Sequence, residues 1–243
     1  MSSGLRRKAV ILAGGQGSRV QRLLPGIPKP MALTAGRPFL EWVVRFLGKQ
    51  GFNDITISTG FRSEIIAAHF SQVQFAGIDI RCESELEPCG TAGGFVNAVG
   101  SRASETDPWL VSNGDSLVLG DLKPMLDLLD SETQAVILGL HAEDCSRFGA
   151  LKTDSQGTLL EFSEKRPGRG LINAGIYLLA AGLLRQFPSA RPLSFETDVF
   201  PSLLAAGIRI AVSPTSAPFM DIGTEGTLPL AGQFVTTNRG HFL

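Results

Sequence analysis

Short apolar runs alternate with longer amphipathic segments through the first half of the chain. Residues 8–13, KAVILA, form a continuous apolar run that ends at two glycines, which is typical of a buried parallel strand. Apolar positions at helical spacing then predict a helix over residues 37–51. The alternation continues as β-loop-α-β-α-β-α-β as far as NGD at residues 113–115. This order predicts a parallel sheet with helices on both faces.

After about residue 120 the pattern becomes looser but still predicts strands and helices. Helices are expected over residues 121–131, 195–207 and 224–238. Strands are expected over residues 134–142, 148–154, 157–165, 172–180, 208–214 and 217–223, of which the second and third form a hairpin. Because no repeat or linker interrupts the pattern, we expect a single domain over residues 1–243.

The composition excludes several classes of protein. The chain has 243 residues, 43% of them hydrophobic and 19% charged, with a formal net charge of -1. Such a balance gives no bulk attraction to nucleic acid or an anionic membrane. The three cysteines have no CxxC spacing, and no apolar stretch approaches the ~20 residues of a membrane span. We therefore expect a cytoplasmic protein with reduced thiols, which binds neither nucleic acid nor membrane.

A glycine-rich loop follows the first predicted strand. Ligands of parallel α/β sheets bind at the carboxyl ends of strands, where the loops at residues 14–19, 83–91 and 113–116 should meet. The loop GGQGSR can point backbone N–H groups at an anion, and Arg19 adds a charge suited to phosphate. The Walker A ending is missing, and Val20 breaks the dinucleotide pattern GxGxxG. The loop either binds phosphate or is merely flexible.

Charged residues follow several of the other predicted strands. Lys29 lies between two prolines that restrict its backbone. Asp115 and Asp221 each end a predicted strand, and two converging carboxylates suit Mg²⁺ with waters and ligand phosphates. Taken alone, Lys29 is better explained as a surface lysine, and each aspartate can be explained as a turn-forming residue. Asn173 lies in an otherwise apolar run, where a buried amide needs polar partners such as sugar hydroxyls.

Together, the ordered motifs resemble the sugar-1-phosphate nucleotidyltransferases between residue 9 and about residue 225. The guanylyltransferase branch, with its D-glycero-D-manno-heptose 1-phosphate and mannose-1-phosphate enzymes, shows the greatest similarity. The motifs are LAGGQGSR, PKPM, GRPFLEW, ESELEPCGTAGG, NGDS, FGAL, EK, NAGIY and DIGT. The resemblance implies a Rossmann-like α/β/α sandwich of the GT-A type with a mixed, mostly parallel sheet. It also implies a Mg²⁺-dependent reaction of GTP with a sugar 1-phosphate, giving a GDP-sugar and pyrophosphate.

The resemblance also implies roles for individual residues. A nucleotide-binding half would cover residues of about 8–120, and a sugar-binding half about 121–243. The residues expected to act in catalysis are Arg19, Lys29, Asp115, Lys165 and Asp221, with Asp115 and Asp221 as the Mg²⁺ ligands. Those expected to bind the nucleotide are Leu12, Ala13, Gly14, Gly15, Gly17, Ser18, Glu85, Gly90, Thr91 and Asn113. Those expected to bind the sugar are Gly149, Glu164, Asn173, Gly175 and Glu196.

Glu85 matches the family position that reads the base. A carboxylate only accepts hydrogen bonds, and guanine offers two adjacent donors where adenine presents a ring acceptor. Glu83 and Glu87 are alternative readers, and all three could instead be solvated loop charges. Other readings stay open for the whole protein: a mannose-1-phosphate guanylyltransferase, a glucose-1-phosphate thymidylyl- or uridylyltransferase, or a regulatory subunit that senses nucleotide sugars. We expect a monomer or a homodimer.

Overall fold

A mixed sheet forms the centre of the protein. The computed structural model describes residues 6–100, 107–163 and 167–242. Its strands are β1 (Arg7–Ala13), β2 (Leu33–Thr34), β3 (Arg37–Pro38), β4 (Phe52–Thr59), β5 (Asp79–Ser84), β6 (Trp109–Asn113), β7 (Ser116–Val118), β8 (Thr133–Ala142), β9 (Ala150–Thr153), β10 (Leu159–Ser163), β11 (Gly170–Leu179), β12 (Arg209–Thr215) and β13 (Phe219–Asp221). Its α-helices are α1 (Phe39–Lys49), α2 (Ser63–Gln72), α3 (Thr91–Val99), α4 (Lys123–Leu128), α5 (Phe200–Ala205) and α6 (Ala231–Thr237).

Nine of the strands in the described ranges form the central sheet. Its main path runs β10-β9-β11-β6-β1-β4-β5, and β11 also pairs with β8, which pairs with β12. Strands β1, β4, β5 and β6 pair in parallel, whereas β11 is antiparallel to β6, β8 and β9. Only β10 and β11 therefore run against the other strands of this sheet. The predicted mixed, mostly parallel sheet is confirmed.

Two apolar cores cover the two faces of the sheet. Phe39, Leu40 and Leu47 of α1 are fully buried in one core, which also contains residues of α2, α4 and α6. Phe95 of α3 and Phe200 of α5 belong to the other core. Because each helix buries one apolar stripe against the sheet, the result is the expected α/β/α sandwich.

The register of the parallel strands aligns their carboxyl ends. Leu12 of β1 lies opposite both Ser58 of β4 and Asn113 of β6. Thr59, the last residue of β4, lies opposite Ser84, the last residue of β5. The loops after β1, β4, β5 and β6 therefore leave the sheet along one edge, as predicted for a ligand crevice.

Some predicted elements differ from the structure at their ends. The helix expected over residues 224–238 begins only at Ala231, because a 3-10 turn at Leu228–Leu230 includes a proline without an N–H donor. The helix expected over residues 195–207 begins as a π-helical turn, Phe195–Val199, before α5. The small hairpin of β2 and β3 is not predicted, since two-residue strands carry no periodicity.

Candidate active site

The glycine-rich loop after β1 lies directly against two neighbouring segments. The carbonyl of Gly14 accepts a hydrogen bond of 3.1 Å from the N–H of Phe61. A Cβ added at Gly60 would stand 2.7 Å from that carbonyl oxygen, so the two loops can approach this closely only with glycine there. Gly17 has a φ of +62°, and a Cβ there would meet the Cβ of Lys29 at 2.9 Å. The loop is therefore packed against the segment that carries Lys29.

Lys29 joins the glycine loop to two carboxylates. Its ammonium forms an ion pair with Asp115, in the turn between β6 and β7. Asp221, the last residue of β13, lies beside this pair because β13 is antiparallel to β7, with Asp221 opposite Ser116. Arg147 approaches Asp221 from the segment before β9, with 3.8 Å between Nη2 and Oδ1. Two cations and two carboxylates thus share one end of the crevice.

The electrostatics of Asp221 reflect this crowding. Burial raises the pKa of its carboxyl, and the nearby charge of Asp115 raises it further. The backbone N–H of Gly223 donates to Oδ1 at 3.0 Å and opposes the shift, as do the charges of Lys29 and Arg147. Mg²⁺ typically takes one or two carboxylates together with phosphate oxygens and waters, which this pair of carboxylates fits. Within the described ranges, no cluster of three or more His, Cys, Asp or Glu side chains suits a metal.

Glu85 folds back under the glycine loop. Its Oε1 accepts a hydrogen bond of 3.2 Å from the hydroxyl of Ser58, and its Oε2 accepts one of 3.0 Å from the N–H of Cys89. A Cβ added at Gly14 or Gly94 would stand 2.8 or 2.5 Å from Oε1. The carboxylate is therefore held beside the loop, and neither Glu83 nor Glu87, both exposed, has such a position.

A pocket of about 330 Å³ lies between the glycine loop and the acidic end of the crevice. Its walls come from the ends of β1 and β6 and from the segment between β5 and α3. They consist of Leu12, Gly14, Gly15, Glu85, Pro88, Gly90, Thr91, Asn113 and Asp115. Eight of these nine were predicted as site residues, and Pro88 is the addition. Ala13 is buried at the end of β1, and Ser18 and Arg19 are exposed in a 3-10 turn next to the loop.

The predicted sugar residues of β11 lie against the same pocket. Gly175 has a φ of +72°, and a Cβ there would stand 2.3 Å from Nδ2 of Asn113, so β11 passes directly behind that pocket residue. The side-chain oxygen of Asn173 accepts a 2.9 Å hydrogen bond from the backbone N–H of Gly175. The backbone N–H of Asn173 donates to the Gly149 carbonyl, also at 2.9 Å. A Cβ at Gly149 would meet nothing within 4 Å, so this position borders open space.

Glu196, in the π-helical turn, contacts one residue of the pocket wall. Its carboxylate accepts a 3.1 Å hydrogen bond from the hydroxyl of Thr91, which lines the pocket. Glu164 and Lys165 lie outside the described residues, so their predicted roles stay predictions.

Besides Pro88, sequence reasoning missed four residues of this region. Arg147 immediately precedes the FGAL motif, and Tyr177 is the last residue of NAGIY, so a recognised motif marks the position of each. Ser58 and Ser194 carry no such signal, because their partners Glu85 and Glu196 come close only through folding. A further negative finding concerns membranes: of the described helices, none is long and apolar enough to cross one.

Comparison with known proteins identifies the family. A family model described as Nucleotidyl transferase matches residues 8–238. The mannose-1-phosphate guanylyltransferase of Mycobacterium tuberculosis is 35% identical over 202 residues, which cover 82% of this chain and 56% of that protein. The D-glycero-alpha-D-manno-heptose 1-phosphate guanylyltransferase of Campylobacter jejuni is 34% identical over 190 residues, covering 78% of this chain and 83% of that protein. The chain thus spans little more than half of the first relative but most of the second.

Solved structures show the same architecture. HddC from Yersinia pseudotuberculosis has a TM-score of 0.83 and 29% identity, covering 93% of this chain and 98% of that one. The structure of its complex with GMP-PN has a TM-score of 0.80 and the same coverage of both chains. The resemblance of the sequence motifs to sugar-1-phosphate nucleotidyltransferases is therefore confirmed, and the chain belongs to the nucleotidyl transferase family.

Proposed function

We propose that this protein transfers GMP from GTP to D-glycero-D-manno-heptose 1-phosphate, giving the GDP-heptose and pyrophosphate. The observation that carries the proposal is the 330 Å³ pocket, which has the glycine loop at one end and the Lys29–Asp115 ion pair with Asp221 at the other. Guanylyltransferases for this heptose at 34% and 33% identity, and a structural neighbour bound to GMP-PN, support the choice of nucleotide and sugar.

The reaction needs positioning and charge neutralisation more than proton transfer. An anionic phosphate oxygen of the sugar 1-phosphate attacks the α-phosphorus of GTP. The bond between the α-phosphorus and the oxygen that bridges it to the β-phosphorus breaks, and pyrophosphate leaves with that electron pair. The nucleophile is already ionised, so no general base is required. The rate then depends on holding the two phosphates in line and stabilising the charge that develops on the leaving group.

The residues of the crevice divide these tasks. The backbone of Gly14 and Gly15 binds the nucleotide, because glycine lets the main chain approach a ligand closely. Arg19 and Lys29 neutralise the triphosphate and the departing pyrophosphate. Lys165 binds the sugar phosphate.

Asp115 and Asp221 would hold Mg²⁺, which would supply Lewis-acid chemistry at the phosphoryl oxygens. Because Lys29 is paired with Asp115, its ammonium is held next to the carboxylates that would carry the metal ion, where it can neutralise phosphate charge.

Glu85 reads the base, and a separate set of residues binds the sugar. The Glu85 carboxylate accepts from the two adjacent donors of guanine, whereas a pyrimidine offers a different set. Gly149, Glu164, Asn173, Gly175 and Glu196 bind the sugar. Residues of about 8–120 form the nucleotide half of a single domain, and residues 121–243 the sugar half.

The experiment measures pyrophosphate release with Mg²⁺ for five nucleotides crossed with three sugar 1-phosphates. The nucleotides are GTP, ATP, CTP, UTP and dTTP, and the sugars are heptose, mannose and glucose. Turnover confined to GTP with the heptose is expected. A preference for mannose 1-phosphate would favour the second candidate, a mannose-1-phosphate guanylyltransferase, which the relative at 35% identity supports. Turnover with UTP or dTTP and glucose 1-phosphate would contradict the assignment of both base and sugar.

A further inference from the structure

A chain of hydrogen bonds connects β11 with the start of α3. The Asn173 side-chain N–H donates to the phenolic oxygen of Tyr177 at 2.7 Å, and the Tyr177 hydroxyl donates to Oε1 of Glu196 at 2.9 Å. The other carboxylate oxygen, Oε2, accepts from the hydroxyls of Thr91 at 3.1 Å and Ser194 at 2.8 Å. One carboxylate therefore receives three O–H donors from three different segments.

The direction of these bonds is fixed by the chemistry of Tyr177. A phenol has one hydrogen, and the ionised Glu196 can only accept, so the hydroxyl gives that hydrogen to Glu196 and accepts from Asn173. Tyr177 is fully buried, and burial together with the charge of Glu196 raises the pKa of its phenol well above 10. The phenol therefore stays protonated. Asn173 must present its nitrogen to Tyr177, which agrees with its oxygen accepting from the Gly175 N–H.

This arrangement leaves a defined binding capacity on two partly exposed side chains. A carboxylate has about four acceptor positions, of which three are used at Glu196. The Asn173 amide has two N–H donors, of which Tyr177 takes one. One acceptor and one donor remain, separated by no more than two hydrogen-bond lengths through the Tyr177 oxygen. Two neighbouring hydroxyl groups of a sugar match this pair.

We propose that Tyr177 is a positioning residue that holds Asn173 and Glu196 as a donor–acceptor pair for two neighbouring hydroxyls of the sugar 1-phosphate. The inference rests on the proposed function, because the ligand is the sugar substrate of that reaction. Thr91 lines the nucleotide pocket and also donates to Glu196, so the pair is anchored to the wall of that pocket.

The variant Tyr177→Phe tests the proposal with little disturbance of packing. The ring packs against Phe195 and Phe200, with centroid distances of 5.1 and 5.0 Å, and these contacts remain in the variant. The KM for the sugar 1-phosphate is expected to rise about tenfold, the effect of one hydrogen bond to a charged group, while the KM for GTP changes less than twofold. Thr34→Val is the matched control, since Thr34 also loses a buried hydroxyl bond, to the Ala32 carbonyl in the β2–β3 hairpin.

Deoxy sugars separate positioning from a general loss of stability. Wild-type protein and the variant are compared with the accepted sugar 1-phosphate and its 2-, 3- and 4-deoxy analogues. The wild type should lose about tenfold in kcat/KM for two adjacent deoxy positions, and the variant should discriminate much less at those positions. Equal discrimination by both proteins would overturn the proposal, as would an equal rise in both KM values.

A second variant and the wild-type reaction complete the test. Glu196→Gln, with one acceptor oxygen for three O–H donors, should show the same selective loss, which keeps the proposal testable should Tyr177→Phe fold poorly. If the wild type accepted no sugar 1-phosphate, the proposed function would fail. Turnover by the wild type with unchanged discrimination in both variants would reject the donor–acceptor pair, including the roles of Tyr177 and Glu196, and would leave the proposed reaction standing.

Discussion

Lys29 and Asp115 form an ion pair at the end of the pocket that Asp115 lines, although Lys29 follows the glycine loop and Asp115 follows β6. The Lys29 side chain is 12% exposed and that of Asp115 is 27% exposed. Asp221 adds a second carboxylate, whose pKa is raised first by burial and then by Asp115. Since Lys29 is the cation in contact with Asp115, its charge offsets the repulsion between the two carboxylates.

Lys29→Met is expected to destabilise the protein without Mg²⁺ and to reduce turnover. Removal of the ammonium leaves Asp115 beside Asp221 without its partner. The free energy of unfolding should fall by about 1–2 kcal/mol, between the values for exposed and buried ion pairs. Millimolar Mg²⁺ should raise the Tm of the variant more than that of the wild type, because the metal ion replaces a missing positive charge. Urea denaturation and thermal melts with EDTA or Mg²⁺ measure both effects.

Lys123→Met is the control for this prediction. Lys123 forms an exposed ion pair of 2.9 Å with Asp127 on α4, which should contribute little to stability because solvent screens both charges. Its Tm should respond to Mg²⁺ as the wild type does. Equal responses of the Lys29 variant and the wild type would argue against a cation site at Asp115 and Asp221.

Arg19→Ala should preserve the fold and lower kcat by roughly 10²–10³-fold, the usual cost of removing one stabiliser of transition-state charge. Arg19 is exposed in the 3-10 turn after the glycine loop, so its loss leaves no cavity. Arg22→Ala, an exposed arginine three residues later, is the matched control and should retain activity. Similar losses in both variants would mean that the net charge of the segment matters rather than the position of Arg19. Pyrophosphate release and a thermal melt provide the two readouts.

The first half of the fold was predictable because local patterns agree with the tertiary structure there. The short apolar run that ends at Ala13 is typical of a strand buried on both faces, and Gly14 follows where the chain turns. The alternation of such strands with amphipathic helices dictates that their carboxyl ends share an edge. Most of the pocket lining followed from that geometry together with the family motifs.

The hydrogen-bond network around Tyr177 and Glu196 could not be predicted in the same way. Tyr177 has the sequence signature of a core aromatic residue, and nothing local shows that its hydroxyl meets Glu196. Ser194 is the N-cap of a π-helical turn, a conformation without a sequence periodicity of its own. Arg147 and Asp221 are far apart in the sequence, and they come together because β13 pairs with the much earlier strand β7.

Gly90→Ala is expected to be much more destabilising than Gly182→Ala, although the two glycines have nearly the same φ, +79° and +78°. A Cβ at Gly90 would stand 2.5 Å from the Leu193 carbonyl oxygen, whereas one at Gly182 would meet nothing within 4 Å. Their ψ angles differ: Gly182, at -10°, is in the left-handed region, whereas Gly90, at 170°, is in a region that essentially only glycine adopts. Gly182→Ala should therefore cost about 1 kcal/mol of backbone strain, and Gly90→Ala about 2 kcal/mol more because its backbone is more strained and because two backbones must separate. Urea denaturation compares them, and equal losses would contradict both reasons for the difference.

Tyr177 is the only tyrosine of the chain, so alkaline titration reports on it alone. Burial and then the charge of Glu196 raise the pKa of its phenol well above 10 in the folded protein. A raised pKa means that its contribution to stability is complete below about pH 10, its unfolded value, and is lost as the pH rises through the folded value. Phenolate absorbance should therefore appear only together with unfolding, followed by circular dichroism. Ionisation near pH 10 in the folded protein would contradict the buried hydrogen-bonded phenol.

Glu85→Gln can be accommodated without loss of the bonds that hold the side chain. The Ser58 hydroxyl has one hydrogen but two acceptors in reach, Oε1 of Glu85 at 3.2 Å and the carbonyl of Gly94 at 3.1 Å. In the variant, the amide nitrogen can donate to the Ser58 oxygen, and the Ser58 hydrogen then goes to Gly94. In the wild type, Oε2 accepts a hydrogen bond of 3.0 Å from the N–H of Cys89. The amide oxygen of the variant can accept the same bond. The free energy of unfolding should therefore change by less than about 1 kcal/mol.

The same variant should lose its preference for guanine, because an amide offers one acceptor and one donor to a base edge with two donors. We expect kcat/KM for GTP to fall roughly 10–100-fold, the cost of one unpaired donor in a buried site, with little change for UTP. Glu87→Gln, in the same loop with an exposed side chain, should leave the ratio of GTP to UTP unchanged. A loss of that ratio in the Glu87 variant alone would transfer the role of base reader to Glu87. A lower free energy of unfolding, with equal losses of kcat/KM for GTP and UTP, would instead show that Glu85 stabilises the loop. Its hydrogen bonds with Ser58 and Cys89 connect β4 to the segment just before α3.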